Sequence, residues 1–373
     1  MPLLLLMFFL VDILSIAYPF IAYYLWREWD KFNDTVSDDY AERCLYGAIA
    51  VALFILLGRF IVKLLISKRR SGEEEPRLFH SSKRDTIKRP DGSRINVEYF
   101  GKEDGPPIIF VHGWNANTNN WYYQRKFFES GYRLIMMDLP GLGKSTRPGN
   151  RDFSLEKMAA DLEAVIEHTN ARNAVLWGHS MGGMTILSLF ANHRYSNRIA
   201  IKALILEHTT YTNPVRTMMF SKLMTAIEKP VLRPLCWLII ALSPLVWISR
   251  WMSYMNGHSH IVTRLLTFAG TQTQKQLDFS TLLSTMAPPA VMARGVLAMF
   301  KYDVTSQLPQ ITIPALVIAA NKDRLTKPIA SEFMYTHMPS AKLTTVSPGN
   351  HQSLLERHKE VNEAAKNFIE TLS

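Results

Sequence analysis

The sequence predicts an α/β fold with a mostly parallel sheet, preceded by an apolar segment that enters a membrane. Three observations carry this. Short apolar runs alternate with helix-spaced stretches from about Thr86 onward. That alternation is the pattern of strands buried on both faces and linked by helices. One of those runs leads through Gly178-His179-Ser180-Met181-Gly182 directly into a helical pattern. Finally, hydrophobic residues make up 47% of the 373, and the first seventy positions hold far more than their share.

Residues Pro2 to Trp26 are almost wholly apolar, with Asp12 the only charge. The run is longer than the roughly 20 residues that cross a bilayer. It lacks the basic start and small-residue end of a signal peptide. It closes on Tyr23, Tyr24 and Trp26, an interfacial aromatic belt. A second run, Leu45 to Ile66, contains Arg59 and Lys63 four residues apart. Their stems are expected to snorkel to a nearby interface. This run is a second span, or an interfacial helix as the alternative.

The segment between the runs holds Arg27, Lys31 and Arg43 among six acids. After Ile66 come Lys68, Arg69, Arg70, Arg77, Lys83, Arg84, Lys88 and Arg89. The positive-inside rule puts this second set in the cytoplasm. Residues 1–70 are therefore expected to form an integral two-helix hairpin, with the large domain on the cytoplasmic face. Residues 71–85 are expected to be a basic linker against anionic headgroups. The net charge of +10 is concentrated beside the membrane segments rather than on a binding motif, which argues against nucleic acid as partner.

The strands follow in order: RINVEYFG, PPIIFVHG, RLIMMDLPG, NAVLWGHS, KALILEHTT, PALVIAANKD and AKLTTVS. SLEKMAADLEAVIEHTN has helical spacing, with Ser154 at its start. In such sheets reactive groups gather at the carboxyl ends of the strands. A serine on a tight strand-to-helix turn needs small neighbours, so Gly178 and Gly182 relieve crowding around Ser180. The turn also leaves the Met181 N–H at a helix start, where an oxyanion is stabilised. Asp323 ends one later strand and His351 follows another, and the order Ser180, Asp323, His351 suits a nucleophile, orienter and base.

With HGW after a strand, DLPGLGKS, GHSMGG, NKD and GNH, the sequence resembles the α/β-hydrolase superfamily in its serine-hydrolase branch, monoacylglycerol-lipase-type enzymes included. The resemblance runs from about Thr86 to the C-terminus. It implies the α/β-hydrolase fold: a central sheet flanked by helices, with a helical cap insertion. It also implies that Ser180 is the nucleophile, His351 the general base and Asp323 its orienting carboxylate. It implies, further, that the backbone N–H groups of Trp114 and Met181 form the oxyanion hole. Glu207, at the end of its strand, is the rival for orienting His351. His112 is expected to shape the loop after its strand, and Asp138 to tie down the PGLG turn. No metal or organic cofactor is required.

The hydrolase core is assigned to residues 86–210 and 311–373, and an apolar cap to 211–310. Within the cap, Lys229 to Met255 is rich in Leu, Ile and Trp, and Pro230, Pro234 and Pro244 break it into short helices. It either dips into the bilayer or packs on the core. Anchor and apolar cap together point to a lipid acyl ester, such as a monoacylglycerol or lysophospholipid, cleaved through an acyl-enzyme. Other Ser-His-Asp chemistry remains open: thioesterase, carbon–carbon bond hydrolase, perhydrolase or acyltransferase. So does a non-enzymatic membrane protein. GLGKST is no phosphate loop, because Asp138 stands where its first glycine belongs. The pair His258 and His260 is expected at the surface. Cys44 and Cys236 are packing residues.

Overall fold

The computed structural model describes residues 1–33, 38–68, 74–191 and 200–372. Arg69, Arg70 and the start of the expected linker lie outside them.

The chain opens with α1 (Pro2–Phe32) and α2 (Asp38–Ile66), packed against each other as a hairpin. The sheet strands are β1 (Arg84–Lys88), β2 (Arg94–Gly101), β3 (Pro107–Val111), β4 (Arg133–Met137), β5 (Ala174–His179), β6 (Ile201–Glu207), β7 (Ala315–Ala320) and β8 (Ala341–Val346). Their spatial order is β1-β2-β4-β3-β5-β6-β7-β8. The β1–β2 and β2–β4 pairs are antiparallel and the rest parallel. Strand β1, in the Arg84–Lys88 stretch, was not anticipated, and it starts just ahead of the expected core boundary.

Alternate residues of each strand face opposite layers. Ile109, Val111, Ile135, Met137 and Leu176 face a core shared with α4 (Leu155–Thr169) and α5 (Met181–Ala191). Ile108, Phe110, Leu134, Met136 and Trp177 face a second core with α3 (Tyr122–Phe128) and, near the C-terminus, Leu354, Val361 and Phe368. Helix α4 starts as expected, with the Ser154 side chain accepting from the Lys157 N–H.

Between β6 and β7 the chain forms the cap: α6 (Ser221–Ile227), α7 (Arg233–Ala241), α8 (Ser243–Asn256), α9 (His258–Thr267), α10 (Gln274–Met286) and α11 (Pro289–Met299). The bend between the α6–α7 stretch and α8 is 96°, so the proline-broken segment makes no straight crossing. The expectation that the segment packs on the core is met on one face, and its other face is exposed and apolar. Cys236, Ile239 and Val246 are buried, while Trp237, Leu245 and Ile248 are exposed. Helices α12 (Pro328–His337), α13 (Ser353–Glu356) and α14 (His358–Glu370) complete the core.

Helices α1 and α2 are long and apolar enough to cross a membrane. Helix α1, however, is not a freestanding anchor. Met1, Leu4, Leu5, Phe8, Asp12 and Ser15 form one buried stripe at helical steps of three and four, packed under the cap. Asp12 is paired with Arg250 of α8 at 3.6 Å, and Asn256 donates to the Ser15 hydroxyl at 2.9 Å. Arg59 and Lys63 likewise do not snorkel. Lys63 pairs with Asp278 of α10 at 2.9 Å, and the Arg59 guanidinium stacks over Tyr254. A carboxylate and a ring inside the fold take up their charged ends instead. The His258–His260 expectation also fails. His260 is fully buried and hydrogen-bonded to Asp278, and His258 is half-buried beside Tyr18.

Candidate active site

The chain turns from β5 into α5 at Ser180, whose φ is +55°, a conformation that a side-chain-bearing residue adopts only when its surroundings enforce it. Two bonds do so here. The Ser180 N–H donates to the Glu207 carbonyl at 2.9 Å, and the Thr209 hydroxyl donates to the Ser180 carbonyl at 2.6 Å. The flanking glycines are required by close approach. A Cβ on Gly178 would lie 2.6 Å from the Gly182 backbone, and one on Gly182 would lie 1.9 Å from the Val111 carbonyl oxygen. Because that carbonyl belongs to a central strand, nothing nearby can yield. Gly182→Ala is expected to exceed the about 1–3 kcal/mol of ordinary overpacking. The checks are a thermal melt and loss of the soluble folded fraction.

Three residues from separate loops converge at this turn. His351 Nε2 is 2.9 Å from the Ser180 Oγ, and His351 Nδ1 is 2.9 Å from Asp323 Oδ2. Asp323 also accepts from the backbone N–H groups of Leu325 and Thr326 and from the Thr326 hydroxyl. Burial alone would push the Asp323 carboxyl up, but His351 beside it and these donors outweigh burial and hold it down at about 2. An ionised Asp323 accepts from Nδ1–H, which leaves Nε2 bare toward the serine hydroxyl.

Glu207, the rival orienter, makes no such contact. Its Oε2 accepts from the Trp177 indole at 2.9 Å, and burial raises it to about 8. Neighbouring His208 is lowered by burial to about 4, so the two face each other neutral at pH 7. The unfolded Glu207 ionises near 4.5, whereas the folded one keeps its proton to about 8. Stability therefore falls as pH rises through that window, by about 1.4 kcal/mol per pH unit. Glu207→Gln keeps the indole bond and is expected to remove this slope, read as the difference between the two proteins' stability–pH profiles.

His112 fixes the loop after β3. Its Nε2 accepts from the Leu139 N–H at 3.0 Å, so Nδ1 carries the proton and donates to the Gly113 carbonyl at 2.8 Å. Burial lowers it to about 4, which keeps it neutral. Asp138 accepts from the Thr118 and Lys144 N–H groups and from the Asn96 amide, and so joins the HGW and PGLG loops. Burial raises its carboxyl to about 6 despite these donors. Neither the Trp114 nor the Met181 N–H donates to a carbonyl among the described residues, and Gly113 lets the loop approach Ser180 closely. The Trp114 indole reaches the cap, donating to the Met292 carbonyl at 2.8 Å.

Sequence reasoning missed three contributors. Thr326 braces Asp323, and His179 donates from Nε2 to the His351 carbonyl at 2.9 Å. His179 was visible inside the GHSMG string, but no spacing marks Thr326. The third is the first turns of α1: the Met1 sulfur lies against the Ser180 hydroxyl, and Met1, Leu4 and Phe8 line a small cavity together with Trp114, His179 and His351. No metal-binding cluster occurs among the described residues.

A family model described as the alpha/beta hydrolase fold matches residues 106–358. Over 99 residues the chain is 39% identical to a non-heme chloroperoxidase of Streptomyces lividans, a stretch covering 26% of this chain and 36% of that protein. Over 117 residues it is 34% identical to a bifunctional esterase/perhydrolase of Acinetobacter calcoaceticus, covering 31% of this chain and 41% of that protein. The matches thus span well under two thirds of these curated relatives. An esterase from Exiguobacterium antarcticum shares the fold, with a TM-score of 0.62 at 24% identity over 78% of this chain and 100% of that one. Sheet order, the turn at Ser180 and a family match over more than half of its length agree: the chain belongs to the α/β-hydrolase fold family.

Proposed function

We propose that this protein is a membrane-anchored serine hydrolase that cleaves acyl esters of lipids, of the monoacylglycerol or lysophospholipid kind. The observation that carries the chemistry is the continuous Asp323–His351–Ser180 hydrogen-bond chain, 2.9 Å at both of its links. His351 Nε2 takes the Ser180 proton as Oγ attacks the ester carbonyl. Asp323 holds the imidazole tautomer and stabilises the imidazolium. The developing oxyanion is met by the Trp114 and Met181 N–H groups. His351 then protonates the leaving alcohol, and a water activated by the same imidazole releases the acid from Ser180. None of these steps needs a metal or cofactor.

The lipid part of the reading rests on exposed apolar surface. Phe20, Leu53, Phe60 and Leu65 of the hairpin are all more than half exposed, as are Trp237 and Ile248 of the cap. Large apolar side chains exposed in this number on the hairpin and the cap support a membrane or partner contact. The hairpin reading is supported at both ends: Met1 lies at Ser180, and the Lys68 N–H donates to the Gln272 carbonyl in the cap. The placement of Lys and Arg supports a domain on the cytoplasmic face.

The test is reaction of the full-length protein in mild detergent with a fluorophosphonate, followed by monoacylglycerol and lysophospholipid assays. Labelling that survives in Ser180→Ala would sink the serine reading. The similarity to an esterase/perhydrolase favours one second reading, in which peroxide rather than water takes the acyl group. Running ester hydrolysis, a thioester and peracid formation side by side separates these.

A further inference from the structure

We infer that the first two turns of α1, Met1 to Phe8, stand in the acyl-chain site of Ser180, and that a long acyl chain binds by taking their place. This rests on the serine-hydrolase reading above and goes further, naming where the chain lies and what must move.

The Met1 sulfur lies 3.7 Å from the Ser180 Oγ. Leu4, Leu5 and Phe8 follow it at helical steps, each no more than 5% exposed, in the same core cluster as Trp114, Met181, Met292 and Leu325. The two turns are about 12 Å long, an apolar rod that starts at the nucleophile and runs under the cap. The cavity beside Met1 and His351, the two side chains that cover the Ser180 hydroxyl, holds about 20 Å³, room for about one water molecule. No ester enters unless part of the wall leaves.

The rest of that wall differs in character and in fastening. Asn115, Asn120, Thr263 and Gln352 also line the cavity, and each has a side-chain polar atom with no partner among the described residues. Such a lining suits the polar part of an ester, which leaves the apolar space held by α1 for the chain. The α9–α10 connection is tied down, because Glu356 accepts from the N–H groups of Ala269, Gly270, Thr271 and Gln272. Gln276 adds a bond to the Leu355 carbonyl. Among the described residues, the start of α1 has no such side-chain ties. Its buried stripe is apolar until Asp12, whose pairing with Arg250 is a 3.6 Å contact without a hydrogen bond to its carboxylate. The opposite face of the same helix, Leu10, Ile13 and Leu14, is half exposed. A bilayer offers that helix an alternative apolar setting.

The experiment uses the full chain in lipid nanodiscs, with an ethyl and a hexadecyl fluorophosphonate. Leu4→Ala/Phe8→Ala empties part of the space without removing the helix. It should react about tenfold faster than the wild type, because apparent reactivity scales with the fraction of open protein. It should also shift hydrolysis of p-nitrophenyl esters toward longer chains. The second measurement, hydrogen exchange on the wild type, does not depend on the variant's folding. Hexadecyl labelling should deprotect residues 1–8 as far as Phe8, and ethyl labelling, which needs only the space beside Met1, should deprotect them much less. If the wild type reacts with neither probe while the variant reacts with both, the plug is upheld in its strongest form. Unchanged protection of residues 1–8 after hexadecyl labelling, with exchange rising in α9 and α10 instead, would overturn it and leave the serine reading intact. Failure of both proteins to react with either probe would remove the serine reading and this inference with it.

Discussion

Ser180→Ala and His351→Ala are each expected to lower kcat for ester hydrolysis by at least about 10⁴-fold, with Asp323→Asn close behind at about 10³- to 10⁴-fold. The three act as one unit, so any pair of these changes should cost little more than the worst single one. The Asp323 change is the sharpest. An amide presents an N–H or a weaker acceptor to His351 Nδ1, the imidazole turns to the other tautomer, and Nε2 carries a proton toward Ser180. Folding should be spared, since the Leu325 and Thr326 N–H groups still have an oxygen to meet. The check is steady-state hydrolysis beside a thermal melt. A near-wild-type rate for Asp323→Asn would mean that the 2.9 Å contact between Asp323 and His351 is packing rather than part of the machinery.

Arg250→Ala should cost about 3–5 kcal/mol of stability, because it strands Asp12 as an unpaired charge in a buried setting. Both side chains are almost completely buried, at 3% and 1% exposure. Asp12→Leu strands the guanidinium in the same way. The double change Asp12→Leu/Arg250→Met removes both charges and fills similar volume, so it should recover most of the loss. Denaturant unfolding in detergent for the four proteins gives the coupling directly. If the two single changes were additive in the double variant, α1 would not be held under the cap by this pair.

Most of the α/β core could be read from the sequence, because buried parallel strands are short apolar runs and helices have their own period. The same holds for the residues that meet at Ser180. A strand-to-helix turn needs glycine at 178 and 182, and the ends of β7 and the loop after β8 are where such sheets present side chains. The short edge strand β1 was missed. RDTIK is polar on all but one position, and only pairing with β2 makes it a strand.

The N-terminus shows the limit most clearly. Its sequence determined that α1 and α2 are helices long and apolar enough to cross a bilayer. It did not determine which faces of them meet protein. An all-apolar helix carries no amphipathic signal, so the stripe Met1, Leu4, Phe8, Asp12, Ser15 was hidden apart from its two polar members. Only the tertiary structure decided that Asp12 meets Arg250 across 238 positions of chain and that Lys63 meets Asp278. The same is true of Met1 reaching Ser180. Contacts between distant segments depend on how the cap folds over the sheet, and neither periodicity nor spacing records that.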